Sequence, residues 1–380
     1  MRIRALTPRL AERVNLQIVG FSPNGDLMDE LASDLGAPLT VISQAQSGFL
    51  GALLSLVRRD PRCFRRFRGP QIYKAIAEIL NSHQPDIVHI DGFAALALVP
   101  LVTRLRPQSN IVAHIHDCQS VFQKRFVQDK NMGFLYRILH WIELIKVLRY
   151  ERSQLDKVKL VLVDSAEDCD VLQKRAKDTL VETLPLGFEP SIYRPEGSKA
   201  RLKQPSLIFT GSMKGAHSVD GAIFLAKEVM PLVWEYHPDA HLYIVGGGAG
   251  SEVRELEGSG VTVTGYVEDL PSYLRASTLY VCSLRLGSGM RTRVVEALAC
   301  GACMITNSLG IQGLQTPKTS AWMIAETPTE YSEAIRKMLT NPDLISQVSR
   351  AASEYAMLNY SWQTVADQLV VYFKEISYDD

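Results

Sequence analysis

The chain lacks a long apolar run: in 380 residues the longest, Phe93 to Val102, is far too short to span a bilayer. It lacks a charge excess, with 41 Lys and Arg against 41 Asp and Glu, so no overall field steers it toward nucleic acid. Its six cysteines, Cys63, Cys118, Cys169, Cys282, Cys300 and Cys303, are scattered, which argues against a disulfide scaffold and for reduced thiols in a cytoplasmic protein. Cys300 and Cys303 have redox spacing, yet no second CxxC joins them as a zinc site would require. They fall between a helix end and a strand start, where two buried structural thiols are expected. The charged N-terminus reads as no secretory leader. What remains is a globular composition, 46% hydrophobic, at a length where one core gives way to two.

Apolar runs alternate with helical patterns along the chain. PDIVHIDGF and NIVAHIHD, within residues 85–117, are short strands separated by a helix, which makes a parallel βαβ unit. KLVLVDSAEDCDVLQKRA adds a strand at 158–163 and a helix capped by Ser165, with Asp168 at the third helical position. LPLGFEPSIYRPEGSKARLKQPS, residues 184–206, is rich in Pro, Gly and polar residues and reads as an interdomain linker. A second alternation runs from SLIFTGS through HLYIVGGG, VTVTGY, LYVCSL and CMITNS, predicting five further strands. The fold class is α/β, with two doubly wound Rossmann-like domains.

Residues 281–314, VCSLRLGSGMRTRVVEALACGACMITNSLGIQGL, run strand, Gly-rich turn, helix, strand. The turn Gly287-Ser288-Gly289 leaves backbone N–H groups at a helix N-terminus, where orphan donors and the dipole favour phosphate. Arg291 and Arg293 stand in the first turn, where the dipole alone would prefer acids, so an anion is expected there. Glu296 follows Gly289 by seven residues, about 10 Å along a helix, roughly the reach from a diphosphate to a ribose, and a carboxylate accepts from vicinal hydroxyls. The alternative is an ordinary α/β turn with solvated side chains.

This stretch resembles the donor motif of the retaining GT-B glycosyltransferases of family four, roughly G-x-G-T-R-[LV]-K-[IV]-[LV]-E-A-[LM]-A-x-G. The matching residues are Gly287, Gly289, Arg291, Glu296, Ala297, Ala299 and Gly301. Arg293 replaces the usual Lys, Met290 the usual Thr, and Ser288 a first Glu that many relatives carry. FTGSMKGAHSVDGAIF resembles the opening of that family's donor domain, with Gly211, Ser212, Met213 and Asp220 in place and His217-Ser218 where Pro-Asn is usual. VTVTGYVEDLPSYLRAS resembles the loop lying against the base, which brings in Val267. The resemblance implies an acceptor-binding domain at 1–185, a linker at 186–206, a nucleotide-sugar-binding domain at 207–358 and a helix at 359–380 crossing back, the two domains facing a cleft. The family also begins with a strand and Gly-rich loop ahead of a segment like MRIRALTPRL, so the first strand of the N-terminal sheet is expected to be missing.

Other constellations carry competing readings. Gly246-Gly247-Gly248-Ala249-Gly250 imitates a dinucleotide fingerprint, but the spacing is wrong and the following helix too short, so close approach of backbone to a ligand, or simply a turn, is the better account. Asp168-Cys169-Asp170 imitates a metal-binding DxD, but sits on a capped helix, and no metal site is expected. His114 and His116 share one side of a strand at its carboxyl edge. By resemblance His116 approaches the transferred sugar, while a satisfied internal role competes for it and is preferred for His114 and His89. Lys214 either meets the diphosphate or is solvated. Arg58, Arg59, Arg62, Arg65, Arg66 and Arg68 either face anionic lipid at the inner face of the membrane or form a solvated surface.

The resemblance therefore implies a retaining, metal-independent transferase that moves a sugar from a nucleoside diphosphate sugar, with no further cofactor, to a lipid-linked acceptor or growing glycan in polysaccharide or glycoconjugate assembly. Arg291, Arg293 and His116 would act in catalysis. Gly211, Ser212, Lys214, Val267, Ser288, Gly289, Met290, Thr292 and Glu296 would hold the donor. A nucleotide-sugar-binding protein without transfer and a GT-B-shaped epimerase are the alternatives, the latter wanting acid and base carboxylates that cannot be placed.

Overall fold

The structure is a computed structural model that describes residues 2–22, 34–43, 59–116, 118–128, 133–176, 179–286, 289–317 and 319–378. Arg58, Gly287 and Ser288 lie outside these residues. The chain divides into one unit of Met1–Pro185 with Ala366–Asp380 and another of Leu186–Val365.

In the first unit, α1 (Arg2–Ala11) precedes β1 (Ile18–Ser22) and β2 (Leu39–Ser43), which pair in parallel with Ile18 opposite Leu39. A separate parallel sheet holds β3 (Ile87–Asp91), β4 (Asn110–Ile115), β5 (Leu160–Val163) and β6 (Leu180–Thr183) in that order. Among the described residues the two sheets are not hydrogen-bonded to each other. Every residue of β5, Leu-Val-Leu-Val, is buried, as a strand covered on both faces must be. Helices α2 (Gln119–Gln128) and α3 (Phe134–Gln154) pack as a hairpin. Helix α4 (Ala166–Gln173) starts where the Ser165 hydroxyl accepts from the Asp168 N–H. Phe64, Leu96, Ile111, Val161 and Val163 lie in the core.

The second unit carries one six-stranded parallel sheet, ordered β12-β11-β10-β7-β8-β9. Its strands are β7 (Ser206–Thr210), β8 (His241–Val245), β9 (Val261–Gly265), β10 (Leu279–Cys282), β11 (Met304–Thr306) and β12 (Trp322–Ile324). The sequence pattern accounts for five; the sixth, β12, is only three residues long and too short to show a period. Chain order reverses between β7 and β10, the switch point where open α/β sheets place ligands outside the carboxyl ends of their strands. Helices α5 (Ala216–Phe224) and α6 (Thr292–Ala299) follow β7 and β10. Val294, Val295, Ala297 and Leu298 of α6 pack into a core with Phe209, Ile244, Tyr280 and Ile305. Cys300 and Cys303 are buried free thiols.

The last helix, α7 (Trp362–Tyr378), begins in the second unit, and its residues from Ala366 on belong to the first. There Gln368 Nε2 donates to the Thr183 carbonyl at 3.1 Å, the Ile376 carbonyl accepts from Asn110 Nδ2 at 2.9 Å, and Asp367 pairs with Arg13.

Candidate active site

Three loops meet at the switch point of the second unit. The loop after β7 and that after β8 are laced together: Gly211 N–H donates to Val245 O at 3.0 Å and Met213 N–H to Gly247 O at 2.9 Å. At Gly246 and Gly211 their approach leaves no room for a side chain. A Cβ on Gly246, whose φ is +146°, would lie 1.7 Å from the Gly211 carbonyl oxygen, and one on Gly211 would lie 2.7 Å from Arg293 Nη1. The loop after β10 is pinned by Tyr331 OH donating to Cys282 O at 2.8 Å and by Asn307 Nδ2 donating to Leu284 O at 2.6 Å.

Helix α6 begins at Arg291, which is extended and supplies no side-chain cap to the helix, unlike Ser165 at α4. Its leading N–H groups therefore keep their partial positive charge. Gly289 has φ +78° and open space where a Cβ would stand. Arg293 Nη1 donates to the Thr210 carbonyl at 3.1 Å and to Ser218 Oγ at 3.3 Å, which holds the guanidinium at the end of β7. Burial and the charges of Arg293 and Arg291 lower the pKa of His217, a sign of positive potential where α5 and α6 start. Ser212 and Lys214 are exposed, while Met290, Thr292 and Val267 are half-buried.

Glu296 is half-buried on α6 and hydrogen-bonded to Tyr193. Burial raises its pKa, against the opposing effects of the Tyr193 hydrogen bond and the Arg293 charge. The phenol of Tyr193 is pushed up by its own burial and by the carboxylate. Tyr193 falls in the segment whose composition marks only a linker, so its place beside Glu296 carried no local signal. Asp220 forms a two-pronged ion pair with Arg285, at 2.7 and 2.9 Å.

A second polar cluster gathers in the first unit at the carboxyl ends of β3, β4 and β5. Arg2 of α1 reaches it from over a hundred residues away: Nη1 lies 2.7 Å from Asp164 Oδ1 and 3.1 Å from His116 Nδ1, and Nη2 lies 2.9 Å from His114 Nε2. His116 Nε2 stands 2.7 Å from Asp91 Oδ1, and His114 Nε2 3.0 Å from Asp164 Oδ1. Asp91, His114 and His116 offer ligand atoms within 4.8 Å of one another, the one such group among the described residues. The Arg2 guanidinium lies against both of these histidines, so a metal ion would compete there with a fixed cation.

These contacts separate the histidines. Burial would lower the pKa of His116, but hydrogen bonds and charges from Asp164 and Asp91 raise it to about 9, whereas burial keeps His114 low and takes His89 down to about 3. Asp164 is held below the carboxylate range: burial opposes this, but hydrogen bonds from His114 and His116 and the Arg2 charge prevail. A histidine whose folded pKa lies above its unfolded value stabilises fully below about 6.5 and loses that contribution as pH rises through about 9. Urea unfolding of the wild type should therefore show stability falling between pH 6.5 and 9 by more than in His116→Ala. Equal slopes in the two proteins would contradict the charged state assigned to His116.

Comparison with known proteins places this geometry. Residues 204–341 match the family model described as glycosyl transferases group 1, and residues 24–192 match that described as glycosyltransferase family 4. An uncharacterised 44.6 kDa protein from the cps region of Klebsiella pneumoniae is 20% identical over 277 residues, spanning 70% of this chain and 68% of that one. Among solved structures, a glycosyltransferase from Rickettsia africae ESF-5 superposes with TM-score 0.71 at 15% identity, covering 100% of this chain and 94% of its own. Anabaena Alr3699/HepE, solved with UDP and glucose, gives TM-score 0.60 at 14% identity, with 98% and 95% covered. At these identities the structural likeness speaks for the fold.

Proposed function

The chain belongs to the glycosyl transferases group 1 family and has the GT-B architecture, a glycosyltransferase using nucleotide sugars, and from that premise we propose where and how it holds its donor. The nucleoside diphosphate sugar binds at the switch point of the second unit. The observation that carries this reading is the uncapped start of α6, flanked by Arg291 and Arg293 and followed on the same helix by Glu296.

The diphosphate lies against the N–H groups of Gly289, Met290 and Thr292, with Arg291 as its principal cation, Lys214 as a second, and Arg293 contributing from its anchored position. Ser288 belongs to the same turn in sequence. Gly211 and Ser212 line the adjoining loop, Val267 lies toward the base, and Glu296, oriented by Tyr193, accepts from the ribose hydroxyls. As the bond from the anomeric carbon to the diphosphate breaks, negative charge grows on the leaving oxygen, and donors fixed beforehand stabilise it most. His116 is the residue of the first unit that approaches the transferred sugar. Transfer proceeds with retention and without a metal, protein cations taking the metal's part in neutralising the diphosphate, and no further cofactor takes part. The acceptor is a lipid-linked or growing surface glycan, a reading supported by the relative from a cps region. The basic cluster Arg62, Arg65 and Arg66 is a first candidate for membrane contact on the cytoplasmic side.

Calorimetric titration of UDP, GDP and ADP tests the donor site. One nucleotide should bind selectively, and Glu296→Ala should weaken it by about 1–3 kcal/mol, the cost of losing hydrogen bonds to a charged group. Absence of binding by a folded protein would remove the donor-site reading. Binding without turnover on any acceptor would leave a nucleotide-sugar-binding protein instead.

A further inference from the structure

The α2–α3 hairpin of the first unit carries apolar side chains on its exposed side. Inward, α3 buries Val147 and Tyr150 together with Glu143, Lys146 and Glu151. Outward, Phe134 and Leu135 are 75% exposed, Tyr136 63%, Trp141 54% and Ile138 37%, beside Phe122 of α2 at 43%. Phe134, Ile138 and Trp141 are spaced four and three apart, so they form one stripe along the helix. A run of exposed aromatic and aliphatic side chains of this size marks a contact surface for protein or lipid.

Charge indicates the occupant. Exposed Arg149 and Arg152 lie eleven residues, about three turns, beyond Ile138 and Trp141, and so extend the same stripe, while Lys124 is exposed on α2. The only carboxylates of the two helices, Glu143 and Glu151, are buried. A second copy seated on this face by a twofold axis would set like charges together without an exposed acid to pair them. Aromatic side chains rimmed by cations, with no exposed acid on either helix, suit the headgroup layer of an anionic bilayer, where Trp and Tyr settle and Lys and Arg meet phosphate.

We infer that the outer face of the α2–α3 hairpin docks on an anionic phospholipid surface, Phe134, Leu135 and Trp141 entering the headgroup layer while Lys124, Arg149 and Arg152 face the lipid phosphates. No helix among the described residues is long and apolar enough to cross a membrane, so the contact is peripheral. This deepens the membrane contact proposed above and moves its apolar part away from the arginine cluster.

The test is co-sedimentation of the full chain with phosphatidylcholine vesicles, with and without about 30% phosphatidylglycerol. Binding should be about tenfold or more stronger with the anionic lipid, and Trp141 emission should shift to the blue, a shift missing in Trp141→Phe. Phe134→Ser with Trp141→Ser should weaken binding about tenfold or more, and Lys124→Glu with Arg149→Glu should remove the preference for phosphatidylglycerol, both with unchanged circular dichroism. Failure of the folded wild type to bind would overturn the proposal. So would binding that survives both pairs of substitutions but is lost in Arg62→Glu with Arg66→Glu, or self-association that the Phe134 and Trp141 pair dissolves. Nucleotide titration without lipid judges the donor site separately, so the two readings fail independently.

Discussion

Alanine in place of Arg291 should lower kcat for sugar transfer by about 10²–10³-fold, with a smaller change in KM. The size is that of removing one preorganised donor from a site where charge develops in the transition state. The ground-state diphosphate is already charged, so part of the loss will appear in affinity, but the excess that grows on bond breaking appears only in turnover. Arg291 precedes α6 without capping it, so its removal takes away no helix-capping hydrogen bond from its side chain, and circular dichroism should be unchanged. Initial rates with the nucleotide sugar selected by titration measure the effect, and Arg291→Lys should recover part of the rate because charge is kept while the fork is lost. A fully active Arg291→Ala enzyme would show that the leaving group is stabilised elsewhere.

The second large effect is structural. Gly246→Ala should destabilise the second unit by about 2–6 kcal/mol, combining backbone strain and overpacking at about 1–3 kcal/mol each. Its φ of +146° suits glycine, and the added methyl would overlap the Gly211 carbonyl oxygen at 1.7 Å, backbone against backbone, with no rotamer to relieve it. The neighbouring Gly247→Ala is the control: its Cβ would stand 3.4 Å from that of Tyr266, an ordinary contact, and it should cost under about 1 kcal/mol. Urea denaturation of both variants decides the matter. Equal midpoints would mean that the loops after β7 and β8 do not approach as closely as described.

The strands were legible where burial on both faces forces a continuous apolar run, as in Leu-Val-Leu-Val of β5 or Ser-Leu-Ile-Phe-Thr of β7. Strand β12, with three residues and an exposed end, left no such trace. The turn and helix after β10 were legible because their demands are local: glycine for a turn, arginine at a helix start, a carboxylate two turns on. Long-range partners were not. Tyr193 reaches Glu296 from an irregular segment, and Arg2 joins histidines more than a hundred residues distant, contacts that no window of sequence holds. His114 and His116 alternate on one strand, yet burial keeps the pKa of His114 low, whereas at His116 the carboxylates Asp164 and Asp91 outweigh it, and Asp91 is not its neighbour in sequence.

The division of α7 between the units has a consequence for synthesis. The residues of α7 that bond Thr183 and Asn110 are made only after the whole of Leu186–Val365. A nascent first unit leaving the ribosome must therefore wait about ten to forty seconds, at roughly 5–20 residues per second, without those contacts while the second unit is made. A single crossover between relatives at the boundary of Pro185 and Leu186 would therefore pair the first unit of one protein with the closing helix of the other.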